Sequence, residues 1–310
     1  MKIPVVFITD ESYIVPTCVS IISLSINRAP NTSYEVSVIG ISLSKRSIAI
    51  LSSMTSAGVQ VKVITITKNK YITHRSLWPG FHVSSAAMYK FDLMNIFPEY
   101  KKILYLDSDT IIQADLKKLF NIDVKDKYAA VVKDMKGMIT NHYEKKYGLK
   151  NYFNSGVMLL NLQKMRKDKI FTKMMDLLSS QSKVLTFMDQ DIFNLAFTEK
   201  VRFISLKYNN MVSNRRFSAK KIANFFDIDS SIYAKMRKNS AIIHYTDARK
   251  PWSHYFAPDS YIWKKYFKLF SYKGIQAKRR FLTDKDLYLV PRIVRKYKGL
   301  SGQLKNKCEK

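Results

Sequence analysis

The rhythm of the first 66 residues narrows the fold of this chain more than any other feature. Ile3–Ile8 is a run in which five of six residues are apolar, Pro4 being the exception. A short apolar run bounded by turn residues reads as a buried strand, and this one stops at Thr9-Asp10-Glu11-Ser12. Ile14–Ile26 follows with apolar residues at Val15, Val19, Ile22 and Ile26, the spacing of one helical face. Tyr34–Ile41 reads as a second strand, Ser44–Ala57 as a helix and Val59–Ile66 as a third strand. Strands alternating with helices predict a parallel sheet covered on both faces. The expected fold class is therefore α/β, Rossmann-like, with a mixed, mostly parallel sheet. Ligands bind such sheets at the carboxyl ends of strands, which puts the loop Thr9–Tyr13 on the ligand side.

The rest of the chain continues the pattern. Ser84–Phe97 reads as a helix capped by Ser84 or Ser85. Lys102–Leu106 is a strand leading straight into Asp107-Ser108-Asp109, and Tyr128–Val132 a strand leading into Lys133-Asp134. Asn151–Leu162 contains a turn at Asn154-Ser155-Gly156 and a strand after it. Gln163–Ser180 is an amphipathic helix, Asp189-Gln190-Asp191 opens the helix Ile192–Phe197, and Ala241–Tyr245 is a late strand running into Thr246–Trp252.

At 310 residues and 46% hydrophobic, the chain suffices for one large domain with an appendage. Its 18 Phe, 19 Tyr and 3 Trp argue against disorder. Cys18 and Cys308 stand near opposite ends and form no disulfide framework, as expected of a reducing compartment. The N-terminus lacks the long apolar core of a signal peptide, and no window approaches the ~20 apolar residues of a membrane span. A cytoplasmic protein is expected. The formal charge of +29 implies an anionic partner: nucleic acid, an anionic membrane or a phosphorylated substrate.

Three stretches carry candidate chemistry. Alternation along an extended segment puts Asp107 and Asp109 on one side of the backbone, where both can approach one cation. Two carboxylates leave coordination positions for phosphate oxygens, which suits Mn²⁺ or Mg²⁺; the bland alternative is a solvated turn. An aspartyl phosphatase also uses D-x-D, but its downstream Thr would fall on Ile111. His244 ends a strand and is followed by Lys250; a neutral imidazole can be a third ligand and a lysine can neutralise phosphate, whereas an isolated histidine is more often a half-buried structural one. Asp189 and Asp191 at a helix start suit capping and dipole roles for one of them, which leaves Gln190 unexplained. Asn154 fits a turn position as well as a site.

Together these stretches resemble glycosyltransferase family 8, in particular the bacterial lipopolysaccharide galactosyl- and glucosyltransferases. The resemblance rests on FITDESY at 7–13, YLDSDT at 105–110, YFNSGVMLLNL at 152–162, MDQDIFN at 188–194 and HYTDARKPW at 244–252, in that order. It implies a GT-A fold over residues 1–258, a UDP-sugar donor, Mn²⁺ (or Mg²⁺) and transfer with retention at the anomeric carbon. By that resemblance Asp107, Asp109 and His244 are the metal ligands. Ile8, Asp10, Ser12, Asp107, Ser108 and Lys250 bind the nucleotide. Lys90, Asp134, Asn154, Asp189 and Gln190 line the donor sugar. Gln190, Asp191 and Asn154 are the candidate catalytic residues. Ser12 stands where the family usually has Asn, Asp247 where it has Gly, and Met88 where it has Arg; Arg249 can offset the charge of Asp247. An amide is a poor nucleophile, so Gln190 favours front-side attack over the carboxylate nucleophile of retaining glycosidases, with Asp191 the candidate for a covalent route.

Lys264–Lys310 holds 15 Lys/Arg against 3 Asp/Glu. In a helix from Pro291, the residues Ile293, Val294, Tyr297 and Leu300 share one face, opposite Arg292, Arg295, Lys296 and Lys298. Upstream, Trp263, Phe267 and Phe270 interleave with Lys264, Lys265 and Lys268. Residues 259–310 thus read as a basic, mostly helical appendage that associates with the anionic inner membrane from the cytoplasmic side, suited to a lipid-linked glycan acceptor; a solvated face of a packed helix is the alternative. Two other functions remain open. The charge suits a polyanion- or nucleic-acid-binding protein, although no nucleic-acid motif is present and no nucleic-acid partner is expected. A family member that binds sugar nucleotide with little turnover is the other.

Overall fold

The computed structural model describes residues 2–72, 84–141, 147–181, 185–254 and 256–272. They divide between two compact units, Met1–His244 and Tyr245–Lys310. The expected boundary at residue 258 therefore falls inside the second unit.

The first unit is built on a seven-stranded sheet in the order β3-β2-β1-β4-β7-β6-β8. Its strands are β1 (Lys2–Asp10), β2 (Ser33–Ile41), β3 (Val59–Ile66), β4 (Ile103–Leu106), β6 (Ala129–Val131), β7 (Val157–Leu160) and β8 (Val201–Phe203). β1, β2, β3 and β4 run parallel, and β7 enters antiparallel between β4 and β6. A smaller sheet joins β5 (Thr110–Ile112), β10 (Ile242–His244) and β9 (Asn210–Met211) in the order β5-β10-β9. The fold is mixed α/β, as the alternation predicts.

Two departures from the sequence reading matter for the site. Residues 84–97 form a 3-10 helix, Ser85–Asp92, followed by one α turn, with Ser84 capping through Ala86 N–H. The second concerns helix α1 (Ile14–Ile26), whose bounds are as expected but whose face is not. Val15 and Ile22 are only half buried and Ile26 is 49% exposed, whereas Thr17, Ser20 and Ser23 are buried. The reason is the partner. Thr17, Ser20 and Ser23 recur at helical spacing and face the segment that carries the two aspartates. Thr17 Oγ1 lies 2.8 Å from Ser108 Oγ, Ser20 Oγ lies 3.0 Å from Thr110 Oγ1, and Ile112 N–H donates to Ser23 Oγ. Ser108 in turn donates to the Ile8 carbonyl at 3.0 Å. A hydroxyl stripe thereby ties the Asp107–Asp109 segment to both α1 and the end of β1.

Opposite the sheet, α2 (Lys45–Ser52) is capped by Ser44, and Glu11 accepts from the Ser44 and Ser47 hydroxyls. Helices α3 (Leu162–Lys167), α4 (Ile170–Gln181) and α5 (Met188–Phe197) enclose the main apolar core with Phe91, Phe153, Phe193 and Phe197. The expected single helix over 163–180 breaks at Lys169, which has φ 52°. Sequence reading missed α6 (Ala219–Phe226) and α7 (Ser230–Lys238), which pack on a satellite core around Ile222 and Tyr233.

In the second unit, α8 (Ser260–Tyr272) corrects the reading of 263–270 as a membrane face. Trp263 and Phe270 are buried, and Trp263 packs on Trp252 and Phe267 with ring centroids 5.6 Å and 4.9 Å apart. Aromatic area placed between rings is not available to lipid. The amphipathic stretch at 291–300 lies outside the described residues. Among the described residues no helix is long and apolar enough to cross a membrane.

Replacing Thr17 by Val keeps the side-chain volume but removes a buried hydroxyl that lies 2.7 Å from the Tyr13 carbonyl and 2.8 Å from Ser108 Oγ, leaving those polar partners without it. An unsatisfied buried polar group costs about 1–3 kcal/mol. The unfolding free energy of Thr17→Val from urea titration is expected to fall by that amount; an unchanged value refutes the role given to the stripe.

Candidate metal and sugar-nucleotide site

Two chain segments meet at the carboxyl end of β4. Asp107 and Asp109 leave β4 towards β5, and His244 ends β10. β10 pairs antiparallel with β5 so that His244 stands opposite Thr110. His244 Nε2 is 3.1 Å from Asp109 Oδ1 and 3.5 Å from Asp107 Oδ2, and one ligand atom from each residue lies within 4.8 Å of the others. An octahedral ion with bonds of about 2.1 Å sets neighbouring ligand atoms about 3 Å apart. Two carboxylates and one imidazole also suit a hard divalent ion such as Mn²⁺ or Mg²⁺. The donor set thus fits a divalent cation.

Glycine 156 makes the space. A Cβ on it would lie 2.1 Å from His244 Cε1 and 2.5 Å from Asp107 Oδ2. Its carbonyl accepts from Asp107 N–H at 2.7 Å. The sequence marks Gly156 only as a turn residue. Its φ is not in the left-handed region, so the requirement is for room rather than for backbone conformation.

Lys90 crosses beneath the cluster, 3% exposed, with Nζ 2.6 Å from Asp189 Oδ2 and 3.1 Å from Asp107 Oδ1. Burial works against its charge, but Asp107 and Asp189 outweigh that and hold the ammonium well above the usual lysine range. Ser155 Oγ also donates to Asp189 at 2.9 Å. Tyr105 donates to Asp107 Oδ1 at 2.6 Å. Burial, and then the neighbouring Asp107, push the Tyr105 phenol far up, so it stays a donor.

Beside Lys90 lies a chain of side-chain amides. Gln190 donates to Asp134 Oδ2 at 3.0 Å and accepts from Asn154 Nδ2 at 2.9 Å and from Ser155 N–H at 3.2 Å. Asn154 Oδ1 accepts from Gly156 N–H at 3.0 Å and from Asn209 Nδ2 at 2.9 Å. Asp134 Oδ1 accepts from Gly137 N–H. Thus Lys90, Asp134, Asn154, Asp189 and Gln190 do come together in one connected network, which Lys90 joins to Asp107. Ser155, Gly156, Asn209 and Tyr105 join them without having been singled out; the alternation that places Tyr105 on the face of Asp107 was the one usable signal.

Asp191 goes elsewhere. It is fully buried, Oδ1 accepts from Tyr152 Oη, and Oδ2 accepts from Thr186 and Phe187 N–H at 2.6 Å and 2.9 Å. Of the two acids at this helix start, Asp191 has the helix-start role, while Asp189 meets Lys90 and Ser155. At the end of β1, Asp10 Oδ1 accepts from Ser12 N–H and Oγ, leaving Ser12 exposed on the loop. Ile8 and Ser108 are joined through the carbonyl contact described above. Tyr13 ends this loop. Burial first, and then Asp109, Asp107 and Asp10, raise its phenol well above the ordinary value.

Within the second unit, Lys250 Nζ donates to the Tyr245 carbonyl at 2.5 Å. Asp247 is buried, accepts from Arg249 N–H at 3.2 Å and lies 3.7 Å from Arg249 Nε, so its charge has a local counter-ion.

The sequence profile described as glycosyl transferase family 8 matches residues 4–255. A lipopolysaccharide 1,2-glucosyltransferase of Escherichia coli is 30% identical over 253 residues, 78% of this chain and 71% of that protein. Glycosyltransferase GlyF of Streptococcus pneumoniae is 24% identical over 82% of this chain, which spans 58% of GlyF. In structure, the galactosyltransferase LgtC, solved with donor and acceptor sugar analogues, superposes with a TM-score of 0.72 at 23% identity, covering 86% of this chain and 96% of LgtC. That likeness establishes the GT-A architecture.

Two substitutions test the site. Gly156→Ala should displace His244 and Asp107 and weaken Mn²⁺ binding on the order of 100-fold with the fold kept, read by calorimetric titration and circular dichroism. Lys90→Met removes the counter-ion of two carboxylates. Breaking a buried pair costs about 3–5 kcal/mol, so a loss of unfolding free energy below about 1 kcal/mol in urea titration would contradict the pairing.

Proposed function

The chain belongs to glycosyltransferase family 8 and is a glycosyltransferase, and we propose that it moves galactose or glucose from a UDP-sugar to a lipopolysaccharide core or related glycan acceptor with retention of anomeric configuration. The observation that carries this reading is the Asp107–Asp109–His244 cluster beside the Lys90–Asp189 pair and Gln190. Asp107, Asp109 and His244 would hold Mn²⁺ or Mg²⁺. Such an ion supplies Lewis-acid stabilisation of a departing diphosphate. Ile8, Asp10, Ser12 and Ser108 are suited to the nucleotide from the end of β1, and Lys250 to the diphosphate. Lys90, Asp134, Asn154, Asp189 and Gln190 are suited to the donor sugar.

A front-side route fits these residues best. Gln190 Oε1 already accepts two hydrogen bonds and its nitrogen is engaged by Asp134. The Asp191 carboxylate is enclosed and accepts three donors. Neither is poised to attack a sugar carbon. In the front-side route the bond from the anomeric carbon to the phosphate oxygen breaks, and its electron pair leaves with UDP. The acceptor oxygen then bonds to that carbon on the same face and its proton passes to the departing phosphate.

The lipopolysaccharide acceptor is suggested by the name of the Escherichia coli relative. A lipid-linked acceptor agrees with the 15 Lys/Arg against 3 Asp/Glu after residue 263. With Trp263 and Phe270 packed inside, the proposed contact with the cytoplasmic face of the inner membrane passes to residues 273–310.

Incubation with a panel of UDP-sugars and Mn²⁺ should release UDP from UDP-galactose or UDP-glucose, with Asp109→Ala at least 100-fold slower and chelator-treated enzyme inactive. Equal rates for wild type and Asp109→Ala would sink the metal assignment. Deleting 273–310 should abolish binding to anionic vesicles while leaving UDP release intact; retained binding would remove the membrane role of that segment.

A further inference from the structure

We propose that Asn209 is the positioning residue of the metal cluster: it holds the His244 imidazole with its proton on Nδ1 and the Nε2 lone pair towards Asp107 and Asp109. This rests on the metal-dependent reading for its consequence, though not for the tautomer itself.

The argument is one of donor and acceptor direction. Asn209 is fully buried, and its Oδ1 is 3.0 Å from His244 Nδ1. An amide side chain can turn either edge to a neighbour, so that contact alone leaves the proton undecided. The remaining contacts decide it. Asn209 Nδ2 faces Asn154 Oδ1, and that oxygen is identified as an oxygen because it also accepts from the Gly156 backbone N–H. Asn209 therefore spends its donor edge on Asn154 and can only accept from His244. Asn154 then presents its own nitrogen to Gln190 Oε1, which the Ser155 backbone N–H likewise marks as an oxygen. Gln190 presents its nitrogen to Asp134 Oδ2. The result is a one-way relay from His244 through Asn209, Asn154 and Gln190 to Asp134. Two backbone N–H groups set its direction, and each link is 2.9–3.0 Å.

The opposite tautomer is the one His244 would otherwise favour. Nε2 faces carboxylate oxygens at 3.1 Å and 3.5 Å, and a proton there would bond to Asp109. A proton on Nε2 blocks metal ligation. Holding the proton on Nδ1 costs the metal-free protein that bond and leaves three acceptors converging, an arrangement that a cation completes. Loss of such an outer partner of a ligating histidine typically weakens metal binding 10–100-fold.

The test is nitrogen NMR of the full chain labelled at histidine, free of metal and at a pH alkaline enough that the ring is neutral, with His244→Gln used to assign the signals. Wild type should show a protonated Nδ1 and an unprotonated Nε2. Asn209→Leu should move the proton to Nε2 and weaken Mn²⁺ binding about 10–100-fold. Asn209→Asp keeps an acceptor and should retain the wild-type tautomer, which decides the matter if the leucine variant fails to fold. A protonated Nε2 in wild type or in Asn209→Asp, or an unchanged tautomer in Asn209→Leu, overturns the proposal. Failure of wild type to bind Mn²⁺ while its Nδ1 is protonated would instead overturn the metal-dependent reading and leave the tautomer assignment standing.

Discussion

The pairing of β10 with β5 is the constraint on which the rest of the first unit's site depends. Asp107 and Asp109 are contributed by one segment, but His244 comes from 135 residues later in the chain. It reaches them because Ile242, Ile243 and His244 run antiparallel to Ile112, Ile111 and Thr110. A register slip of one residue would turn His244 to the other face of this small sheet. The hydroxyl stripe of α1 holds the other half of the pairing in place, since Ser20 and Ser23 bond to Thr110 and to the Ile112 amide. Buried hydroxyls at these positions carry geometry that apolar packing alone does not supply.

Charge balance explains the composition of the site. Asp107, Asp109 and Asp189 gather within reach of one another, with Lys90 as the buried cation among them. Three carboxylates against one ammonium leave net negative charge before Asp134 is considered. The same carboxylates add to burial, the larger cause, in raising the phenols of Tyr13 and Tyr105. A divalent cation relieves the same excess. The residues that pack around the cluster are therefore donors or small: Tyr105 and Lys90 donate, and Gly156 withdraws to leave room.

Amides, rather than charges, connect this acidic centre to the proposed sugar side. Gln190, Asn154 and Asn209 each give with one edge and accept with the other, so the orientation of one fixes the next. Such a chain transmits direction without adding further charge to the acidic cluster. It also accounts for the Gln between two acids in 189–191: Asp189 serves Lys90, Gln190 serves the relay, and Asp191 anchors the helix start by accepting from Thr186 and Phe187 N–H.

Much of this was legible in the residues. The β-α-β-α-β run, the bounds of α1 and β3, the strand into Asp107 and the late strand into His244 all follow from apolar period and turn chemistry, because those are local properties. The resemblance to family 8 brought Asp107, Asp109 and His244 forward together. Other features depended on partners distant in the chain. The buried face of α1 was misjudged because Thr17, Ser20 and Ser23 are satisfied by residues 108–112, which no local pattern reveals. Trp263 and Phe270 are interior because another ring, Trp252, covers the stack. Gly156 read as a turn because the atoms that need its missing Cβ belong to His244 and Asp107. By itself the sequence brought forward the groups proposed to bind a cation and a sugar nucleotide. Tertiary structure decided which of them face one another, and in which direction each hydrogen bond runs, because donor and acceptor direction is settled only when both partners are in place.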